Sequence, residues 1–362
     1  MCLYPRLLKN PKYKATAKNG GVIPPVPDMR VLYVPIGCGY CIECKKQKAK
    51  EWQVRLHEDI KEYRNGKFVT LTLSDESYKR MHDIVQSRKR IKNKWVEREK
   101  NDELSGYDLD NAIITQATRY FLELHRKHNK KALRHWLVSE LGHNGTENIH
   151  LHGIIYMDDI RELHKYWKHG FIWIGEDMYG RINNYVNEQT INYITKYVSK
   201  IDIKHKYYSP VILTSNGIGK NYIKNINKTN AQLHKFNGEN TNEAYRTNNG
   251  YKMGLPKYYR NYLYTDEEKE QLWLHKLDKE ERYVCGEKVS VKDNLKEYFA
   301  LVNHYREKSH EMGYGKGDFD WKRQEYEAQQ REIMQQTRLR RAEHKYNGSN
   351  LKYIKNNLNG NT

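Results

Sequence analysis

The chain has 362 residues, enough for one large domain or two to three smaller ones. Its 64 Lys and Arg against 45 Asp and Glu leave a formal net charge of +19, which gathers polyanions and makes nucleic acid the leading partner class. No apolar run reaches the ~20 residues of a spanning helix, and MCLYPRLLKNPKY is too poor in apolar residues for a signal peptide, so the expected setting is a reducing cytoplasm. The five cysteines are then thiols or metal ligands rather than a disulfide framework. Tyrosine (30) far outnumbers phenylalanine (6), a drift that A/T-rich coding also produces, so composition alone does not fix a function.

Residues 1–36 are rich in turn formers, with GGVIPPVPD as an extended loop. CGYCIEC leads into a basic helix in which Trp52, Leu56, Ile60 and Tyr63 recur at helical spacing and Gly66 is the expected stop. KFVTLTL alternates as a strand, with Val69, Leu71 and Leu73 on one face. SDESYKRMHDIV opens on an N-cap serine and predicts a helix. Residues 86–110 are highly charged and are expected as an exposed loop or insertion, and NAIITQATRYFLELHRKH predicts an amphipathic helix. HWLVSE and IHLHGIIYM form a strand pair joined by LGHNGTEN. A short helix, the strand GFIWIG and the helix NEQTINYITKYVSKI follow. This order predicts an α+β fold with a central antiparallel sheet flanked by helices. The expected divisions are a Cys-containing segment with its basic helix (1–60), the core (61–204), a Gly-, Asn- and Tyr-rich extension (205–264) and a charged, mainly helical region with a frayed tail (265–362).

Side chains alternate along a strand, so His150 and His152 share one face while Leu151, Ile155 and Met157 take the other. Two imidazoles so placed can converge on one divalent ion. If residue 140 pairs with residue 150, Glu140 joins them as the third ligand; a slip of one residue puts it on the wrong face. Two His and one Glu form a fairly hard set suited to Mg²⁺ or Mn²⁺ as well as Zn²⁺. The competing explanation is polar residues on the wet side of a sheet. On the helix INYITKYVSK, Tyr193 and Tyr197 are neighbours four residues apart. Lys196 and Lys200 share their flank, and Ile191, Ile194, Val198 and Ile201 occupy the other. Phenol, metal and lysine together suit phosphodiester cleavage, in which a tyrosine oxygen attacks phosphorus and a lysine offsets developing charge.

Taken in order, FVTLTL, HLH at 150–152 and YITKYVSK at 193–200 resemble the HUH endonucleases of rolling-circle replication. The histidine pair precedes the tyrosines, as in replication initiators, and the Y-x-x-x-Y spacing, the CGYCIEC…EW block and GLPKYY at 254–259 are similar to the initiators of microviruses, small circular single-stranded DNA phages. The resemblance implies a site-specific enzyme that nicks and rejoins one strand at a phage origin, on single-stranded or supercoiled DNA. It would keep the 5′ phosphate on a tyrosine and leave a 3′-OH for the host polymerase. It further implies His150, His152 and Glu140 as ligands of Mg²⁺ or Mn²⁺, Tyr193 and Tyr197 as alternating nucleophiles, and Lys200, with Lys196, as their lysine partners. The setting would be the cytoplasm of a bacterial host. No Walker-type GxxxxGK[ST] run is present, so unwinding falls to a host helicase.

Cys38, Cys41 and Cys44 are spaced C-x₂-C-x₂-C, and a structural Zn²⁺ needs a fourth ligand, for which Cys2 is preferred to Cys285. Free thiols and an iron–sulfur cluster are the alternatives. The alternative function is a non-catalytic, zinc-containing nucleic-acid-binding protein, which would bind DNA in a salt-sensitive way and form no covalent adduct.

Overall fold

The computed structural model describes residues 2–91, 94–224, 230–248, 250–292, 294–314 and 321–358. The paired strands β1 (Arg6–Lys9) and β2 (Tyr33–Ile36) precede the long helix α1 (Ile42–Glu62). Next come β3 (Gly66–Thr72), α2 (Asp75–Ser87), the paired strands β4 (Arg88–Ile91) and β5 (Lys94–Glu97), and α3 (Gly106–Asn129). Then follow β6 (His135–Leu141), β7 (Ile149–Tyr156), the one-turn helix α4 (Leu163–Tyr166), β8 (Ile172–Trp173), α5 (Glu188–Ser199) and β9 (Ile212–Thr214). The remainder comprises α6 (Asn221–Lys224), α7 (Asn230–Leu233), β10 (Ala244–Arg246), β11 (Lys252–Gly254), α8 (Lys257–Leu263), α9 (Asp266–Asp278), β12 (Glu281–Val284), β13 (Glu287–Ser290), α10 (Leu295–Glu311) and α11 (Trp321–Leu358). Residues 359–362 of the expected tail lie outside the described residues. Among the described residues, no helix is long and apolar enough to cross a membrane.

The chain divides into two compact units. One comprises Tyr63–Tyr197, Asp202–Ile218 and Asp320–Thr362. Its sheet has five antiparallel strands in the order β8-β3-β7-β6-β9, so the HLH strand β7 lies at the centre. Strand alternation divides the residues between two faces. Val69, Leu71, Leu137, Leu141, Leu151 and Ile155 are buried in one core with Tyr78, Met81 and Val85 of α2 and Ile113, Ala117 and Phe121 of α3. Each large aliphatic or aromatic side chain among them, fully buried, contributes ~1.5–3 kcal/mol. Helix α2 begins where the sequence placed its cap: Ser74 Oγ accepts the Ser77 N–H at 3.2 Å, and Asp75 and Glu76 complement the helix N-terminus. In β7, Gly153 sits against β6 so closely that a Cβ there would meet the Trp136 carbonyl oxygen at 2.0 Å, so only glycine permits this pairing beside His152.

Two local expectations change. Gly66 does not merely stop α1; it is the first residue of β3. Residues 86–110 are not one open loop. Their charges alternate with apolar residues, Arg88 pairs with Glu97 across β4 and β5, and Leu109 extends the Ile113, Ala117, Phe121 stripe so that α3 starts at Gly106.

The other unit comprises Met1–Glu62, Val198–Ile201 and Gly219–Phe319. In it, Val54 of α1 packs with Tyr222, Tyr245, Leu255 and Tyr259. Asp59, fully buried, accepts the Gly219 N–H at 2.6 Å, and the Tyr259 hydroxyl donates to the Gly219 carbonyl at 2.9 Å. The GLPKYY segment therefore supplies core residues: Leu255 and Tyr259 are buried and Pro256 caps α8.

Candidate active site

The face of the sheet opposite the aliphatic core carries the histidines. The register aligns Val138, His152, Thr70 and Trp173 in one row, and Glu140, His150 and Thr72 in the next. Glu140 is thus directly opposite His150, the pairing on which a third ligand depends. His150 Nε2 and His152 Nε2 are 3.0 Å apart, and Glu140 Oε2 is 3.5 Å from the first and 3.1 Å from the second. Two ligands ~2.1 Å from one ion are ~3.0 Å apart at right angles and ~3.4 Å apart at the tetrahedral angle, so these spacings match a metal's coordination shell. The neighbouring bonds prepare the nitrogens for that role. His150 Nδ1 donates to the Asn148 carbonyl at 3.0 Å, which leaves Nε2 with its lone pair. His152 Nδ1 is 2.9 Å from Thr70 Oγ1. Three acceptor atoms converging this closely repel one another unless a cation lies among them, so the residues fit a divalent ion.

Helix α5 brings the phenols to this group. Asn187 Oδ1 accepts the Thr190 N–H at 2.9 Å and closes the first turn. Ile191, Ile194 and Val198 are buried, which turns Tyr193 and Tyr197 outward. The Tyr197 ring stacks on the His152 imidazole, with centroids 4.7 Å apart and planes inclined by 16°. The two phenolic oxygens are 2.6 Å apart. Burial, the Tyr193 hydroxyl and the Glu140 charge all push the Tyr197 phenol above its ordinary range, so without a nearby cation it keeps its proton. Lys196 is exposed on the same helix, and Lys200 follows its last residue.

Several neighbours carried no sequence signal. Phe68 stacks parallel to His152 at 6.1 Å and meets Tyr193 and Trp173 edge-on at 6.0 and 5.6 Å. Strand alternation already placed Phe68 and Thr70 on one face, and the pairing of β3 with β7 then set them beside the histidines. Glu147 has φ of 49°, in the left-handed region, in the turn just before Asn148. It is held by Lys204 and by His205 Nε2 at 2.6 Å, while His205 Nδ1 lies 2.5 Å from Asp202.

This triad sets a pH dependence. Burial opposes the His205 charge, but its bonds to Asp202 and Glu147 outweigh burial and raise its pKa. Burial pushes Glu147 upward, and the bonds from Lys204 and His205 more than reverse that; in Asp202, the His205 bond likewise overcomes burial. A raised histidine stabilises the fold fully below its unfolded value of ~6.5 and loses that contribution as pH rises through the folded value. The lowered carboxylates contribute above their unfolded values of ~4 and lose this as pH falls. The triad is therefore complete between about pH 4.5 and 6.5. Thermal melts should show the wild-type midpoint falling from about pH 6.5 to about pH 9 by a few degrees more than that of His205→Gln. Equal slopes would remove the triad from the account.

Cys2, Cys38, Cys41 and Cys44 also converge, with one sulfur from each within 4.8 Å of the others; Cys285 is not in that group. Residues 66–202 match the family model of replication-associated protein ORF2, a segment that spans β3 to the end of α5 and holds the histidines, Glu140 and both tyrosines. The match covers less than half of the chain and associates that segment with DNA replication. No curated protein and no solved structure matches the chain.

Proposed function

We propose that this chain is an HUH-type nicking endonuclease and ligase that starts rolling-circle replication of a small circular phage genome. One observation carries the reading: Tyr197 stacks on His152 while His152, His150 and Glu140 converge on a single point. The match of the same segment to a replication-associated family supports it.

A Mg²⁺ or Mn²⁺ ion held by Glu140, His150 and His152 would polarise the scissile phosphate and orient it for in-line attack. The Tyr197 hydroxyl loses its proton as its oxygen forms the new bond to phosphorus. The bond from phosphorus to the 3′ oxygen breaks, and that oxygen takes up a proton. The products are a 5′-phosphotyrosine and a free 3′-OH, with one phosphoester exchanged for another, so the reverse reaction rejoins the strand. Lys196 and Lys200 would offset the charge that builds on the phosphate. Tyr193, bonded to Tyr197, is placed to make the second attack when the origin is regenerated. Extension from the 3′-OH and unwinding would fall to a host polymerase and helicase.

The exposed edge of the site suits unpaired DNA. Trp173 is 43% exposed and Tyr193 50% exposed, both in edge contact with Phe68, and unstacked bases gain ~1–3 kcal/mol each on such rings. Trp173→Ala should weaken binding of single-stranded origin DNA by ~10-fold in fluorescence anisotropy, within that range. Unchanged affinity would place the strand elsewhere.

The deciding experiment mixes the full chain with single-stranded phage-origin DNA and Mn²⁺ and resolves the products on a denaturing gel. A protein–DNA adduct that survives denaturation, and is absent from Tyr193→Phe/Tyr197→Phe and from His150→Ala/His152→Ala, is the expected result. Salt-sensitive binding without an adduct on a validated origin would instead favour a non-catalytic binding protein.

A further inference from the structure

The second cluster of ligands is remote in sequence from the histidines and is not used by the proposed reaction. Cys2 Sγ is 3.9 Å from Cys41 Sγ, and Cys38 Sγ is 3.9 Å from Cys44 Sγ. All four cysteines are free. Four sulfurs ~2.3 Å from a central Zn²⁺ in a tetrahedron are ~3.8 Å apart, so these separations are those of a tetrathiolate shell. They are far too long for disulfides, whose sulfurs lie ~2.05 Å apart. They also leave room for one ion, not for the iron and sulfide of a cluster.

The backbone is arranged to receive negative sulfur. The Tyr4 and Cys38 amides point at Cys2 Sγ at 3.4 and 3.2 Å, and the Cys41 amide points at Cys38 Sγ at 3.4 Å. Gly39, with φ of +84°, turns the chain between Cys38 and Cys41 in a conformation that a side chain would strain. Cys44 then lies in the first turn of α1. Arg306 donates to the Leu3 carbonyl at 2.9 Å and lies over the Tyr4 ring, which brings a positive charge to a site whose four thiolates outweigh one divalent ion. Leu3, Ile42, Val284 and Val302 are buried around the sulfurs and limit access of water.

We infer that Cys2, Cys38, Cys41 and Cys44 bind one structural Zn²⁺ that clips the N-terminal segment to the start of α1. Thiolates are soft ligands that favour zinc over the Mg²⁺ or Mn²⁺ suited to Glu140, His150 and His152, so the chain would sort two metals by ligand chemistry. Cys2 closes the shell across a long loop, so the ion substitutes for apolar contacts that this polar segment does not make; Leu7, Leu8, Val22 and Ile23 are all exposed.

The test measures metal by mass spectrometry on the full chain purified under reducing conditions, in the His150→Ala/His152→Ala background to remove the other site. One zinc per chain is expected, retained in Cys285→Ser and lost in Cys41→Ser. Since Cys41→Ser protein could misfold, the folded parent is also titrated with a mercurial thiol reagent. Zinc should leave only as four thiols react, and Co²⁺ exchanged into the site should give the intense charge-transfer absorption of thiolate ligation. Absence of zinc, iron as the sole metal, or free reaction of all thiols without metal release would overturn the inference.

Discussion

Single-turnover cleavage of origin DNA should fall by at least ~10³-fold in Tyr197→Phe, the scale of losing a nucleophile, but by only ~10-fold for the first cut in Tyr193→Phe, the scale of losing one hydrogen bond. The asymmetry follows from geometry. Tyr197 is half-buried and stacked on a candidate metal ligand, whereas Tyr193 reaches the site through the Tyr197 hydroxyl at 2.6 Å and is 50% exposed. A phenylalanine at 197 keeps the ring on His152 and removes only the oxygen, so a loss cannot be assigned to a collapsed stack. Tyr193→Phe should still cut once yet fail to cut a regenerated origin while Tyr197 holds the first end. Tyr185, 70% exposed, provides a control whose Phe variant should cut at the wild-type rate. A reversed asymmetry would make Tyr193 the first nucleophile, and equal small losses in both variants and in their double would remove tyrosine from the chemistry.

That experiment depends on contacts of unequal legibility in the sequence. Period two put His150 and His152 on one face, and the helical period put Tyr193 and Tyr197 together, because both periods are local properties of the backbone. The Glu140–His150 register was conditional in the sequence and became definite only with the pairing of β6 and β7. The sheet order was less accessible: β8 pairs with β3 and β9 with β6 through residues far apart in the chain, and two- or three-residue strands leave almost no periodic trace. Residues 86–110 show the opposite limit, where high charge concealed paired strands whose cross-strand partners offset one another. The convergence of Cys2 with Cys38, Cys41 and Cys44 required a fourth ligand to return from the N-terminus, which ligand count suggested and spacing did not.

The charged C-terminal region gives the second large effect. Its helical pattern was visible, but the arginines that anchor α11 look in sequence like any others. Arg331 and Asp110 are both buried, and the guanidinium donates two bonds to the carboxylate, at 2.5 and 3.0 Å. Tyr78 and Gln335 donate to the same carboxylate at 3.1 and 2.9 Å. Arg331→Met should lower the unfolding free energy in urea by ~3–5 kcal/mol, since it strands a buried carboxylate rather than merely deleting a pair. Adding Asp110→Asn should recover part of that loss, and the shortfall from additivity measures the coupling. The same guanidinium donates to the Glu147 carbonyl at 3.1 Å, and the next carbonyl in the chain, that of Asn148, orients His150. Glu147 sits in a left-handed conformation that only its surroundings maintain, so loosening it should let the His150 ring turn. Mn²⁺ affinity of the still-folded Arg331→Met protein should therefore drop by ~10-fold, the lower end of the range for groups behind a metal ligand. If stability falls and Mn²⁺ affinity holds, His205 and Lys204 suffice to fix the turn, and α11 supports the fold without reaching the site.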